Sequence, residues 1–273
     1  MQAWFRRSAK NPAVQYRGRL APTPSGFLHL GHAQTFWMAH QRCREHQGRL
    51  ILRQEDLDGP RCRPEFALAA EEDLRWLGLD WDEGPFYQSQ RLPLYQEHLQ
   101  HLQDGGWVYP CSCSRKEVQE AQRAPNLGEE EPIYGGTCRN GPQHEEIRAW
   151  RFRVPEREVT FQDLRQGPQR FVGQQDFGDF VVWRPQAGPS YQLAVVVDDA
   201  LMSITEVVRG CDLLLSTARQ LLIYEALGYP APAFYHCPLV TDENGVRLAK
   251  RHDSLALKTL RERGENPPRF TER

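Results

Sequence analysis

Between a short extended segment, Tyr16 to Ala21, and a helical stretch, Ala33 to Gln47, the chain reads Ala21-Pro22-Thr23-Pro24-Ser25-Gly26-Phe27-Leu28-His29-Leu30-Gly31-His32. A strand that ends in prolines, glycine and small hydroxyl residues, then opens directly into a helix, commits a chain to α/β architecture. The first helical N–H groups lack intrahelical partners and the helix dipole is positive there, so such a turn is suited to anions, phosphates above all. His29 and His32 stand one helical turn apart, which lets both imidazoles face one ligand. Gly26 and Gly31 let a nucleotide approach the backbone closely. Gly48 closes the helix, and Arg49 to Arg53 reads as a second strand running into Gln54-Glu55-Asp56-Leu57-Asp58. Strand, helix, strand at this spacing is a right-handed parallel crossover.

Further along, Pro64 starts a helix through Trp76, with Phe66, Leu68, Ala69, Leu74 and Leu77 as its apolar face. Pro93 to Asp104 is a second amphipathic helix, stopped at Gly105-Gly106. Residues 111–142 change character: charged and turn residues dominate without a period, as in an insertion within a fold. Cys111, Cys113 and Cys138 bracket this insertion, and three thiols around a segment with little core of its own suit a structural zinc. The fourth ligand is not evident from spacing, and His144 is the ordinary choice. Short strands are expected at Arg151 to Val154, Val159 to Phe161, Arg170 to Val172 and Phe180 to Trp183. Tyr191 to Val197 reads as a buried strand ending at Asp198-Asp199. Val207 to Gly210 leads into a helix from Asp212 to Leu227, capped by Gly228. Asn244-Gly245 marks a hairpin turn before Arg247-Leu248-Ala249-Lys250-Arg251, and a last helix is expected near Ser254 to Arg263.

The chain has 273 residues, 40% hydrophobic and 26% charged, with a formal net charge of −2. That balance excludes a protein that grips nucleic acid by bulk charge, though not one with a local basic surface. Arginine far outnumbers lysine, which suits carboxylate and phosphate forks. The longest apolar runs are strand-sized and too short to span a bilayer. Met1 to Lys10 is basic without an apolar region, so it is not a secretory signal. Seven cysteines without small-scaffold spacing point to reduced thiols and a cytoplasmic location.

His29-Leu30-Gly31-His32 resembles the HIGH signature of class I aminoacyl-tRNA synthetases, and the flank Arg19-Leu20-Ala21-Pro22-Thr23-Pro24-Ser25-Gly26 resembles their glutamyl branch. The resemblance implies a Rossmann-type parallel-sheet core with a zinc-bearing insertion and a short C-terminal helical segment. The organisation it implies is a loose leader at 1–15, the first half of the core at 16–110, the insertion at 111–142, the second half at 143–240, and a basic loop with a truncated tail at 241–273. ATP, with Mg²⁺, is then expected against His29, Gly31, His32, Arg247, Leu248 and Lys250. Of these, His29, His32 and Lys250 carry the catalysis, by holding donors where charge grows on the phosphates. The basic loop departs from the family's KMSKS pattern: Arg247 replaces the first lysine, Ala249 the middle serine and Arg251 the last serine.

Resemblance also assigns a glutamate pocket to Arg19, Leu20, Ala21, Pro22, Thr23, Glu55, Tyr191 and Arg209. The chemistry agrees, since glutamate needs one acid for its ammonium and a guanidinium fork for carboxylate. Glu55 is expected on the ammonium with Thr23 assisting, Arg19 and Arg209 on carboxylates, and Tyr191 donating to the side-chain carboxylate. Ile133-Tyr134-Gly135-Gly136-Thr137-Cys138 resembles the short members of the branch, in which a tyrosine completes the zinc site; the implied ligands are Cys111, Cys113, Tyr134 and Cys138.

The chain ends soon after Arg251, without the helical part that reads the anticodon in full-length members. It therefore resembles the truncated paralogues that attach glutamate to the queuosine base in the anticodon of tRNA(Asp). Partners expected on this reading are ATP, L-glutamate and queuosine-bearing tRNA(Asp), with no membrane and a monomeric state. Competing readings are the same activation chemistry with another acceptor (the tRNA(Glu) end, a carrier or a small molecule), and a non-catalytic binding module.

Overall fold

The computed structural model describes residues 15–120, 133–239 and 256–270. Strand β1 (Arg17–Leu20) enters the turn, and helix α1 (Leu30–Glu45) leaves it. Strand β2 (Arg49–Gln54) returns parallel to β1, Arg19 opposite Ile51. Helix α2 (Pro64–Trp76) starts at its proline and leads to β3 (Glu83–Tyr87), which adds in parallel at the outer edge of β2. Leu68, expected on the apolar face of α2, is 59% exposed; Ala69 and Leu74 of that face are buried, joined by Ala67 and Ala70. Helix α3 (Leu92–Asp104) and β4 (Val108–Cys111) follow, then the short α4 (Arg115–Glu120).

The second part brings β5 (Ala149–Phe152), β6 (Glu158–Asp163), β7 (Gly167–Val172), β8 (Val181–Arg184) and β9 (Gly188–Pro189). Residues Tyr191 to Val197 are not a strand: they open helix α5 (Tyr191–Leu201). An apolar run of that length fits a buried strand or a buried helix equally, and here both sides of the run are covered by α3 and α6. After β10 (Glu206–Gly210) a short 3₁₀ turn precedes α6 (Leu214–Leu227), which ends on left-handed Gly228. Strand β11 (Ala233–Cys237) and helix α7 (Leu257–Glu262) complete the described chain. The Asn244-Gly245 hairpin, the leader up to residue 14 and Arg247, Leu248 and Lys250 lie outside the described residues.

β1, β2 and β3 form one parallel ribbon; β10, β11, β6 and β7 form another, with β10 and β11 parallel. The two ribbons meet at β1 and β10, where Thr205 N–H donates to Arg17 O and Arg17 N–H to Thr205 Oγ1, both at 2.9 Å. Strand order reverses there, the place at which open α/β sheets bind ligands beyond the strand ends. Antiparallel β4, β5, β8 and β9 make a separate sheet. The largest apolar core lies among α3, α5, α6 and the strands they cover, a second beneath α1, and a third, small, around Tyr109, Cys111, Tyr134 and Cys138.

Candidate active site

His29 is the N-cap of α1, in extended backbone conformation. Its Nδ1 accepts the Gly31 N–H at 3.1 Å, and His32 Nδ1 accepts the His29 N–H at 3.3 Å. The two rings stack with centroids 3.7 Å apart. Both Nδ1 atoms act as acceptors, so in the neutral rings the proton sits on Nε2 and each imidazole is a donor there. No acidic residue lies in the first turn of α1, which keeps the positive helix end available to anions. Leu257 N–H donates to Leu28 O at 2.8 Å and Ala256 bridges to His29, so the chain just behind the basic loop is tied to the histidine turn.

At the foot of that turn, Glu55 N–H donates to Pro22 O at 2.9 Å, which sets Glu55 beside the loop containing Ala21, Pro22 and Thr23. Leu20 is wholly buried in the core, leaving only its backbone to a ligand, whereas Thr23 is exposed. Glu55 is buried and its carboxylate accepts from Arg53 Nη2 at 3.0 Å. Burial raises its pKa, against the downward pull of Arg53 and Arg19. A ligand cation would therefore relieve a real electrostatic cost at this acid.

Arg53 is wholly buried and held by Asp199 (2.7 Å) and Glu55, with Asp198 at 3.7 Å. Asp198 in turn accepts from Gln88 (2.8 Å), Arg91 (2.7 Å) and the Tyr95 hydroxyl (2.9 Å). Burial alone would lower the Arg53 pKa, but the three carboxylates raise it well above its usual value. Arg19 lies in the seam between the ribbons: Nη1 donates to Val208 O at 2.9 Å and Nε lies 3.6 Å from Asp199. Arg19 Nε and the Tyr224 hydroxyl are buried without a hydrogen-bond partner among the described residues. Polar groups left open in this way are rare in a core and common where a polar ligand completes the set.

Arg209, on β10, is buried; Nε donates to His236 Nε2 (3.2 Å), Nη1 to the Tyr191 hydroxyl (3.3 Å) and Nη2 to Thr217 Oγ1 (2.6 Å). Among the described residues no carboxylate lies within ion-pair distance of it. Tyr191 lies within reach of the charges of Arg209, Glu55 and Arg19, and is hydrogen-bonded to the first. Arg53, Asp198, Asp199, Thr217, Asp163 and His236 join this surround without belonging to any sequence motif; for Asp198-Asp199 the signal in the sequence is a pair of acids closing an apolar run.

The cysteine cluster stands apart. The Cys111, Cys113 and Cys138 sulfurs all lie within 4.8 Å of one another, and the Tyr134 hydroxyl is 3.5 Å from Cys111 Sγ and 3.4 Å from Cys113 Sγ. A tetrahedron with zinc–sulfur bonds of about 2.3 Å has edges of about 3.8 Å. The donor set therefore fits a four-coordinate cation with little adjustment. Arg151 Nε donates to Cys111 Sγ at 3.2 Å, placing a positive charge where thiolates would gather. Cys138 is pulled down to about 6: burial opposes the thiolate, and hydrogen bonds from Tyr134, the neighbouring backbone and Cys113 outweigh it. His144 is more than half exposed, with Nε2 3.0 Å from Glu117, and lies outside this set.

A nucleotide-type sheet with a histidine turn at a helix start and a buried acid–guanidinium pocket at the strand reversal is the construction of a carboxylate-activating enzyme. Residues 15–272 match the catalytic-domain model of class I tRNA synthetases (E and Q), and the chain belongs to this family. Within it, the chain is 50% identical over 267 residues to the Glutamyl-Q tRNA(Asp) synthetase of Symbiobacterium thermophilum, covering 92% of this chain and 82% of that one. It is 46% identical to the protein of the same name from Nitratidesulfovibrio vulgaris, covering 91% and 82%. Among solved structures, a glutamate tRNA ligase from Elizabethkingia meningosepticum in complex with its amino acid superposes with a TM-score of 0.77 at 27% identity, over 87% of this chain and 52% of the ligase.

Proposed function

We propose that this chain activates L-glutamate with ATP and transfers the glutamyl group to the queuosine base in the anticodon of tRNA(Asp). The observation that carries the reading is the pair of charges around Tyr191: a buried acid, Glu55, and a buried guanidinium, Arg209, that has no carboxylate of its own among the described residues. Glutamate offers an ammonium to the first and a carboxylate to the second. Similarity at 50% and 46% to two proteins named Glutamyl-Q tRNA(Asp) synthetase, each matched over 82% of its length, supports the acceptor.

In the activation step the α-carboxylate attacks the α-phosphorus in line and pyrophosphate leaves; Mg²⁺ accompanying ATP would offset the phosphate charge. Glu55 holds the ammonium, with Thr23 assisting, and Arg19 and Arg209 orient the carboxylates. The Nε2 donors of His29 and His32, with the helix N-terminus, meet charge as it grows on the phosphate oxygens. Lys250, with Arg247, Leu248 and Gly31, completes the nucleotide site. In the transfer step a hydroxyl of the modified nucleoside attacks the mixed anhydride and AMP departs. Cys111, Cys113, Tyr134 and Cys138 would hold a zinc ion, which would cross-link the insertion and stand outside both steps.

The test is glutamate-dependent exchange of pyrophosphate into ATP, followed by transfer of labelled glutamate to tRNA(Asp) with and without queuosine. Exchange together with labelling of the queuosine form alone is expected. Equal labelling of both forms removes the proposed acceptor, and absence of exchange with or without tRNA leaves a binding module.

A further inference from the structure

Arg209 and His236 are direct partners in the parallel register of β10 and β11, so the contact between them is set by the sheet. Behind His236 stands Asp163 at the end of β6, whose Oδ2 accepts the Nδ1–H at 2.6 Å. All three are buried, Asp163 and His236 almost completely. Asp163 Oδ1 is already engaged by the amides of Arg165 (3.0 Å) and Gln166 (2.7 Å). With its proton fixed on Nδ1, His236 presents a lone pair on Nε2, which receives Arg209 Nε–H at 3.2 Å and lies 3.0 Å from Thr217 Oγ1. A guanidinium has five N–H bonds. Among the described residues three are engaged, by His236, Tyr191 and Thr217, which leaves two for a ligand.

Resting on the glutamate reading above, we infer that Asp163 and His236 are positioning residues that aim Arg209 while leaving its charge uncompensated, so that the pocket selects a side chain ending in carboxylate over its uncharged amide analogue. A carboxylate in direct contact with Arg209 would orient it equally well, but would neutralise the charge that the substrate has to meet. A neutral imidazole interposed between the two transmits direction without charge. His236 is suited to this, because burial and the facing Arg209 hold its pKa down to about 4.

Asp163→Asn tests the arrangement with almost no change of shape. The Arg165 and Gln166 amides keep the carboxamide oxygen on their side, so the NH₂ faces His236 Nδ1. The imidazole proton then moves to Nε2 and opposes the Arg209 N–H. Pyrophosphate exchange should show a glutamate KM raised about ten-fold or more, with kcat and the ATP KM within about two-fold, the pattern of lost ground-state binding. The ratio of kcat/KM for glutamate to that for glutamine should fall, and ¹⁵N NMR of the ring should report the changed tautomer. As a second arm, His236→Gln retains an acceptor for Arg209 and His236→Leu does not, so the glutamate KM of the Leu variant should exceed that of the Gln variant about ten-fold. Equal glutamate KM in the Gln and Leu variants, or an unchanged glutamate KM in Asp163→Asn with the tautomer moved, overturns the positioning role alone. Absence of glutamate-dependent exchange in the unmodified protein overturns the glutamate reading and this inference with it.

Discussion

At the scale of single residues, His29 Nδ1 accepts the Gly31 amide and His32 Nδ1 the His29 amide, and this local arrangement decides which nitrogen carries the proton. The motif is local in sequence, so it was legible there, as were Glu55, Tyr191 and Arg209 once a resemblance to the glutamyl branch was recognised. His236, Asp163 and Thr217 were not legible, because strand register and helix packing alone bring them to Arg209. A histidine alternating with Phe234 along an apolar strand gives no sign of its partner. Lys250 lies outside the described residues, and its role rests on its place in the basic loop. Lys250→Ala should slow pyrophosphate exchange by about a hundred-fold while leaving the glutamate dissociation constant within about two-fold, as measured by exchange kinetics and calorimetry. Equal effects on both would remove it from the transition state.

Among the elements, the chain reads well where caps and prolines punctuate it. Helices α1, α2, α3 and α6 begin and end within a few residues of expectation. Reading failed where a run was apolar throughout: α5 is buried without a break from Leu193 to Asp199, so no helical period shows, and three consecutive valines favour a strand. Strand β3 has no counterpart in the sequence expectations: Gly84 and Pro85 are poor strand formers, and a sheet edge tolerates them. Helix α7 is joined to α2 through Arg261, which reaches Asp73 (3.1 Å) and Glu72 (2.7 Å). Burial raises Asp73 to about 6, against the pull of Arg261. A folded-state value above the unfolded one means this carboxyl favours folding most below about pH 4 and loses that contribution as pH rises to about 6. Arg261 limits the loss once the group ionises. Arg261→Ala should therefore cost about 1–3 kcal/mol at pH 8 and clearly less at pH 5, read by urea unfolding. A deficit independent of pH would detach Asp73 from the effect.

For the whole molecule, the third apolar core around the cysteines is separate from the two that support the pocket. Loss of the cation should therefore be felt locally. Cys113→Ser is expected to lower bound zinc well below one per chain and to open residues 111–142 to limited proteolysis, with pyrophosphate exchange retained within a few-fold. Metal analysis showing unchanged zinc would reject the ligand assignment. The candidate pocket, by contrast, belongs to no single part of the chain. Arg53 comes from β2, Gln88 and Arg91 from the turn before α3, and Asp198 and Asp199 from the end of α5, all closing on one charge sealed from water. Severed at the insertion, either portion would carry ions with no counterpart, so neither is suited to stand as an independent folding unit. Assembling the hydrophobic interior and shaping the recess proposed for the amino acid are thus a single cooperative event, and a chain caught halfway would have neither.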